Sequence, residues 1–194
     1  MPRRKKVDHS YESALVCSAV RYAPFMKDGT TLEKLNVVKY VFLRHLSEPR
    51  DNSLRLIVEE AVVNHSGVVH PSLPELAEIS KDAWPIESIE GCKTFELYWK
   101  HCAAYLVTEE LVGSNAVEGH EDEVFSGKIF RVYTTSHFLD HLARDTGGHI
   151  EPLQHYKLIC LNHLIDIAAY APPEIQVIEA DSERDSDGPA PYIT

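Results

Sequence analysis

No stretch of this 194-residue chain holds the roughly 18 consecutive apolar residues that a membrane helix requires, so no membrane partner is expected. Nor is an export signal expected. The basic start MPRRKK is followed by the apolar run ALVCSAV, but Asp8 and Glu12 stand between them and Arg21 follows at once. Positive charge is scarce: 19 Lys and Arg face 30 Asp and Glu, a net charge of -11. That balance argues against a general nucleic-acid binder, which needs a positive face for phosphate, and suits a basic protein partner. The four cysteines, Cys17, Cys92, Cys102 and Cys160, contain no C-x-x-C pair. Reduced thiols in a cytoplasmic setting are the expectation.

Signature motifs are missing as well. There is no G-x-S-x-G nucleophile elbow, no P-loop and no G-x-G-x-x-G, and no cofactor is implied. Cys102 adjoins His101, but neighbours in a strand point apart, so the pair is not a nucleophile and its base. No internal repeat is found.

What the chain does have is an ordinary globular composition, 44% hydrophobic and 25% charged. A chain of this length should bury about 70% of its unfolded surface, enough for one core without staples. The reading is a single globular domain over residues 11–179. It lies between a basic tail at 1–10 and an acidic tail at 180–194, both solvated.

Period-two patterns dominate. Leu54–Asn64 alternates, with Leu54, Leu56 and Val58 opposite Arg55, Ile57 and Glu59. Leu35–Leu46 is rich in valine and precedes the breaker SEPRDN, so the two runs form an antiparallel hairpin. Lys93–Leu111 reads as one long strand with a bend or bulge, because it exceeds ordinary strand length. Gly127–Thr135 is a further strand and pairs with it as a second hairpin. Trp84–Gly91 is a short strand ending in a turn, and Glu174–Glu179 is another strand. Leu153–Tyr170 reads as a buried central strand. Ser13–Tyr22 is left open between strand and helix, and Leu73–Ile79 forms one helical turn. A short helix spans 137–145, with Ser136 as its N-cap and Gly147 as its stop. The fold class is therefore α+β: a mainly antiparallel β-sheet or sandwich with one firm short helix. The alternative is a more helical chain, with 31–46 and 153–170 as helices.

Two kinds of site follow. The first is a partner-binding surface without catalysis, made of the acidic loop residues Glu118, Glu121, Asp122 and Glu123 with the exposed aromatics Tyr98 and Tyr133. An acidic surface raises on-rate and specificity toward a basic partner. The specific form is an immunity-type inhibitor of a basic toxin or nuclease. The second, alternative reading is a metal-dependent hydrolase. His137 and His141 stand at i and i+4 on the helix, and Asp145 or His149 would complete a zinc site. Zinc would then lower the pKa of a bound water. The motif HFLDH lacks the Glu of H-E-x-x-H, so the primary reading assigns no metal and no catalytic residue. His163 and Asp166 can cooperate only if their segment is a helix; in a strand they face apart, and Asn162 would satisfy backbone groups at a bulge.

Overall fold

Strand alternation, with polar interruptions where the chain must turn, accounts for most of the architecture. The computed structural model of the chain describes residues 29–67, 83–113, 122–147 and 152–178. The two tails, Ser13–Tyr22, the turn at Leu73–Ile79, Glu118, Glu121 and His149 lie outside the described residues.

The element order is α1 (Gly29–Val37), β1 (Tyr40–Ser47), β2 (Leu54–Val63), β3 (Ile86–Glu87), β4 (Thr94–Trp99), β5 (Cys102–Glu109), α2 (Glu110–Gly113), β6 (Val124–Ser126), β7 (Phe130–Thr135), α3 (His137–Asp145), β8 (Gln154–Ile159), β9 (His163–Ala169) and β10 (Glu174–Ile178). Two antiparallel five-stranded sheets result. The first runs β1-β2-β4-β10, with β3 beside the end of β2; the second runs β5-β9-β8-β7-β6. The fold is thus mainly antiparallel β with a few short helices, as the patterning predicts.

One core joins the two sheets. Leu54, Leu56, Val58, Phe95, Leu97 and Trp99 of the first sheet belong to one buried cluster with Phe130, Tyr156, Leu158, Ile165 and Ile167 of the second. Trp99 is the main bridge, its ring 6.2 Å from Phe130 and 6.0 Å from Tyr156. Face-to-face packing of this kind makes a β-sandwich.

The first hairpin forms as expected, β1 against β2, with Leu54, Leu56 and Val58 fully buried. Its first strand starts later than the sequence suggests. Residues 31–46 are neither all strand nor all helix: α1 ends at Val37 and β1 begins at Tyr40. The helix holds because Leu35 reaches the core and the Asn36 side chain accepts the Lys128 and Phe130 N–H groups at 2.9 and 3.1 Å.

The stretch 93–111 is not one strand. It bends at the exposed pair Lys100–His101 and passes from the first sheet to the second. Cys102 N–H bonds the Asn52 carbonyl at 2.6 Å, which pins this corner to the β1–β2 turn. The expected hairpin between 93–111 and 127–135 is therefore corrected. β5 pairs β9, while β7 pairs β6 and β8.

Residues 153–170 are strand rather than helix, but two strands, not one. The chain reverses at Cys160–Asn162, closed by Cys160 N–H on the His163 carbonyl at 2.9 Å. The tip then docks on β1, with Leu161 N–H on the Val41 carbonyl at 2.8 Å. Helix α3 matches the expected 137–145, and the Ser136 side chain caps it by accepting from Leu139 N–H.

Candidate functional site

The sequence pattern puts His155 on the outer face of the second sheet, and the register decides its neighbours. His155 lies opposite Ala168, and Lys157 opposite Asp166, so His155 and Asp166 are diagonal partners across β8 and β9. The His155 Nε2 is 2.9 Å from Asp166 Oδ1, and its Nδ1 is 2.8 Å from Ser136 Oγ. Lys157 Nζ stands 3.1 Å from the same Asp166 oxygen. His155 is 2% exposed, under the rings of Tyr133 at 4.1 Å and Phe138 at 5.2 Å. A single imidazole proton on Nε2 lets Ser136 donate to Nδ1 and Asp166 accept, so every member is satisfied.

Serine, histidine and aspartate in line are the residue types of an acyl-transfer triad. Here their bonds are spent on structure. The Ser136 oxygen also accepts the Leu139 N–H at 3.1 Å, as the N-cap of α3. The backbone N–H of His137, which could face an oxyanion at this helix start, donates instead to Glu123 Oε1 at 2.9 Å. Ser136 is itself buried. The arrangement latches α3 onto the sheet. Burial pushes the Asp166 carboxyl upward, but the His155 hydrogen bond and the Lys157 charge outweigh it and hold the carboxyl below its ordinary value.

This line was not legible as a set in the sequence. Ser136 is visible there as a cap and His155 as one of several histidines. Only the β8–β9 register brings Asp166 to the ring. The neighbouring pair, His163 and Asp166, does not cooperate: Asp166 turns to His155 and Lys157, and His163 Nδ1 is buried with no partner among the described residues.

Of the residues of the hydrolase reading, His137, His141 and Asp145 are described and His149 is not. His137 Nε2 bonds Asp122 at 2.7 Å, which raises its pKa. His141 and Asp145 lie 3.5 Å apart on the exposed side of α3. Among the described residues no three His, Cys, Asp or Glu side chains gather as a metal would require.

Of the expected binding residues, Tyr98, Tyr133, Asp122 and Glu123 are among the described residues. Tyr98 is half-buried on β4 of the first sheet, whereas Asp122 and Glu123 sit at the start of α3 beside the second. The expectation of an exposed Tyr133 is corrected. Its ring is buried between Phe125 and His155, because odd positions of β7 face the sheet side that α3 covers.

A different surface gathers acid and aromatic groups. The segment from Trp84 to Lys93, which contains β3, runs along the end of β2. Asn64 N–H bonds the Pro85 carbonyl, Ser88 Oγ–H the Glu60 carbonyl, and Lys93 N–H the Glu60 carboxylate, at 2.8, 2.8 and 3.1 Å. Asn64 Nδ2 also donates to Glu87 at 2.9 Å. Trp84 stands out from this frame, 50% exposed, edge-on to His65 at 4.8 Å. Ile89 is exposed beside the exposed carboxylates of Glu87 and Glu90. Glu59 is neutralised by Arg44 at 2.7 Å. No period-two or helical pattern marks this segment, which is why sequence reasoning passed over it as a short strand and turn.

No protein-family model, no curated protein and no solved structure matches this chain.

Proposed function

We propose that this protein is an acidic binding module for a basic protein, with Trp84 as the anchor of its contact surface. The observation that carries the reading is the half-exposed Trp84 held on a hydrogen-bonded frame that includes Glu60 and Glu87, with Glu90 exposed on the same segment. Tryptophan is enriched at binding hot spots, and its face attracts Arg and Lys side chains. The surrounding carboxylates and the chain charge of -11 would steer a basic partner toward it. The specific form of this reading is a cytoplasmic inhibitor of a basic toxin, such as a nuclease.

The test is capture of partners on the immobilised protein, followed by titration with the purified partner at two salt concentrations. A basic partner is expected, bound more weakly at high salt, and lost or weakened at least about tenfold by Trp84→Ala, as for an interface anchor. Glu87→Lys with Glu90→Lys should slow association. An acidic partner, or a basic one indifferent to Trp84→Ala and to salt, would sink the proposal.

A further inference from the structure

Helices α1 and α3 each have nine residues, but the sheets hold them differently. α1 sends Leu35 into the core, fully buried. No residue of α3 is buried, and its apolar side, Phe138, Leu139 and Leu142, is only half-covered. Its ties to the sheet sit at its first turn. They include the Ser136 bond to His155 Nδ1, the Phe138 ring beside the His155 ring, and the bonds of His137 to Asp122 and Glu123. Past that turn, among the described residues, the side-chain bonds of α3 stay inside the helix. His141 meets Asp145, and Thr146 Oγ1–H bonds the Leu142 carbonyl.

A free helix of nine residues is unstable in water, because too few hydrogen bonds follow its costly nucleation. Once its first turn lets go, α3 therefore melts rather than swinging out intact. What it leaves keeps its own support. β7, β8 and β9 pair strand to strand, and no side chain of α3 belongs to the core between the sheets. Melting uncovers the opposite face of the second sheet: the stacked rings of Tyr133 and His155, with the Asp166 carboxylate on the imidazole and Lys157 beside it. It also takes Ser136 away from His155 Nδ1, which becomes a hydrogen-bond acceptor open to water.

We infer that α3 is a lid over the His155–Asp166 pair. It opens by local melting while both sheets stay folded, and Ser136 is the catch that keeps it shut. Elements with few buried apolar contacts open at the low end of a protein's stability range, and lids are drawn from that end. The lid lies on the second sheet and Trp84 on the first, so this inference and the partner-binding reading can fail separately.

The experiment is amide hydrogen exchange of the full chain read by mass spectrometry, with modification of His155 by diethyl pyrocarbonate as a second readout. The amides of α3 are expected to exchange at least about tenfold faster than those of β8 and β9, with little acceleration by low urea. Ser136→Ala should speed both α3 exchange and His155 modification about tenfold and leave the strands unchanged. Phe138→Ala should act in the same direction. Exchange of α3 in step with β8 and β9, with the same urea dependence, overturns the inference. So does a Ser136→Ala protein in which strands and helix accelerate together, or a rate of His155 modification that neither variant changes.

Discussion

Asn162 holds both backbone polar groups of Leu43: its Oδ1 accepts the Leu43 N–H at 2.9 Å, and its Nδ2 donates to the Leu43 carbonyl at 3.0 Å. Leu43 sits where the β1–β2 register shifts, on the edge of the first sheet. One side chain of the second sheet thus stands in for a missing strand of the first. Replacing Asn162 by Ala strips both bonds and leaves a half-buried amide and carbonyl to find water. A loss of about 1–3 kcal/mol is expected, read as a lower urea midpoint at constant slope. An unchanged midpoint would mean that the tip does not secure the edge.

Asp166 makes stability depend on acid. Its carboxyl is held below the ordinary value in the folded protein by His155 and Lys157, against the opposing effect of burial. A depressed carboxyl stabilises the fold fully above the unfolded value, near ~3.9, and that contribution is lost as pH falls through the folded value. Asp166→Ala should cost about 3 kcal/mol at neutral pH, because it leaves a buried imidazole and an ammonium group without their anion. The gap between wild type and variant should narrow below pH ~4. Urea midpoints at neutral and acid pH check this, and a gap that widens in acid would contradict it.

Gly127 reverses the chain between β6 and β7 at a φ of +94°, and a Cβ there would collide with the Phe130 carbonyl oxygen. Both the backbone region and the close approach require glycine. Gly127→Ala should lower stability by about 1–3 kcal/mol. Thermal melts should show it, and the aromatic circular dichroism signal should weaken early in the melt as Phe125 swings away from Tyr133. A variant as stable as wild type would mean the hairpin can reform in another conformation.

Thiol reactivity separates the cysteines. Burial pushes Cys102 up to about 11 and Cys160 up to about 12, whereas Cys92 is only partly covered. The thiolate is the reactive species, so a maleimide at mild alkaline pH should label Cys92 in the native Cys17→Ser protein and spare the other two. Denaturant should expose all three. Native labelling of Cys160 would show that the β8–β9 tip opens from β1.

Elements whose signal is local were legible in the sequence. The face Leu54, Leu56 and Val58 follows from alternation alone, and α3 from the Ser136 cap and its spacing. Elements decided by a distant partner were not. Lys93–Leu111 alternates with nothing to say that Lys100–His101 is where one sheet hands over to the other. The reversal at Cys160–Asn162 contains no Gly or Pro; it is made by bonds to β1, more than a hundred residues earlier in the chain. The same holds for the latch of Ser136, His155 and Asp166, whose spacing has meaning only once β8 and β9 are in register. Asn162 is the exception: its expected role, satisfying backbone at a bulge, is the one it has, though the bulge belongs to another strand.

The crossover at Lys100–His101 also sets an order of assembly. The chain leaves the first sheet there, builds the whole of the second, and returns only with β10, which pairs with β4. During synthesis the N-terminal sheet therefore waits, with one flank of β4 bare, until the last described strand arrives. The ends of that wait are β4 and β10, about as far apart in the chain as any two paired strands here. Such distant closure is slow to find by diffusion, and the nascent chain spends that interval as a half-finished sheet.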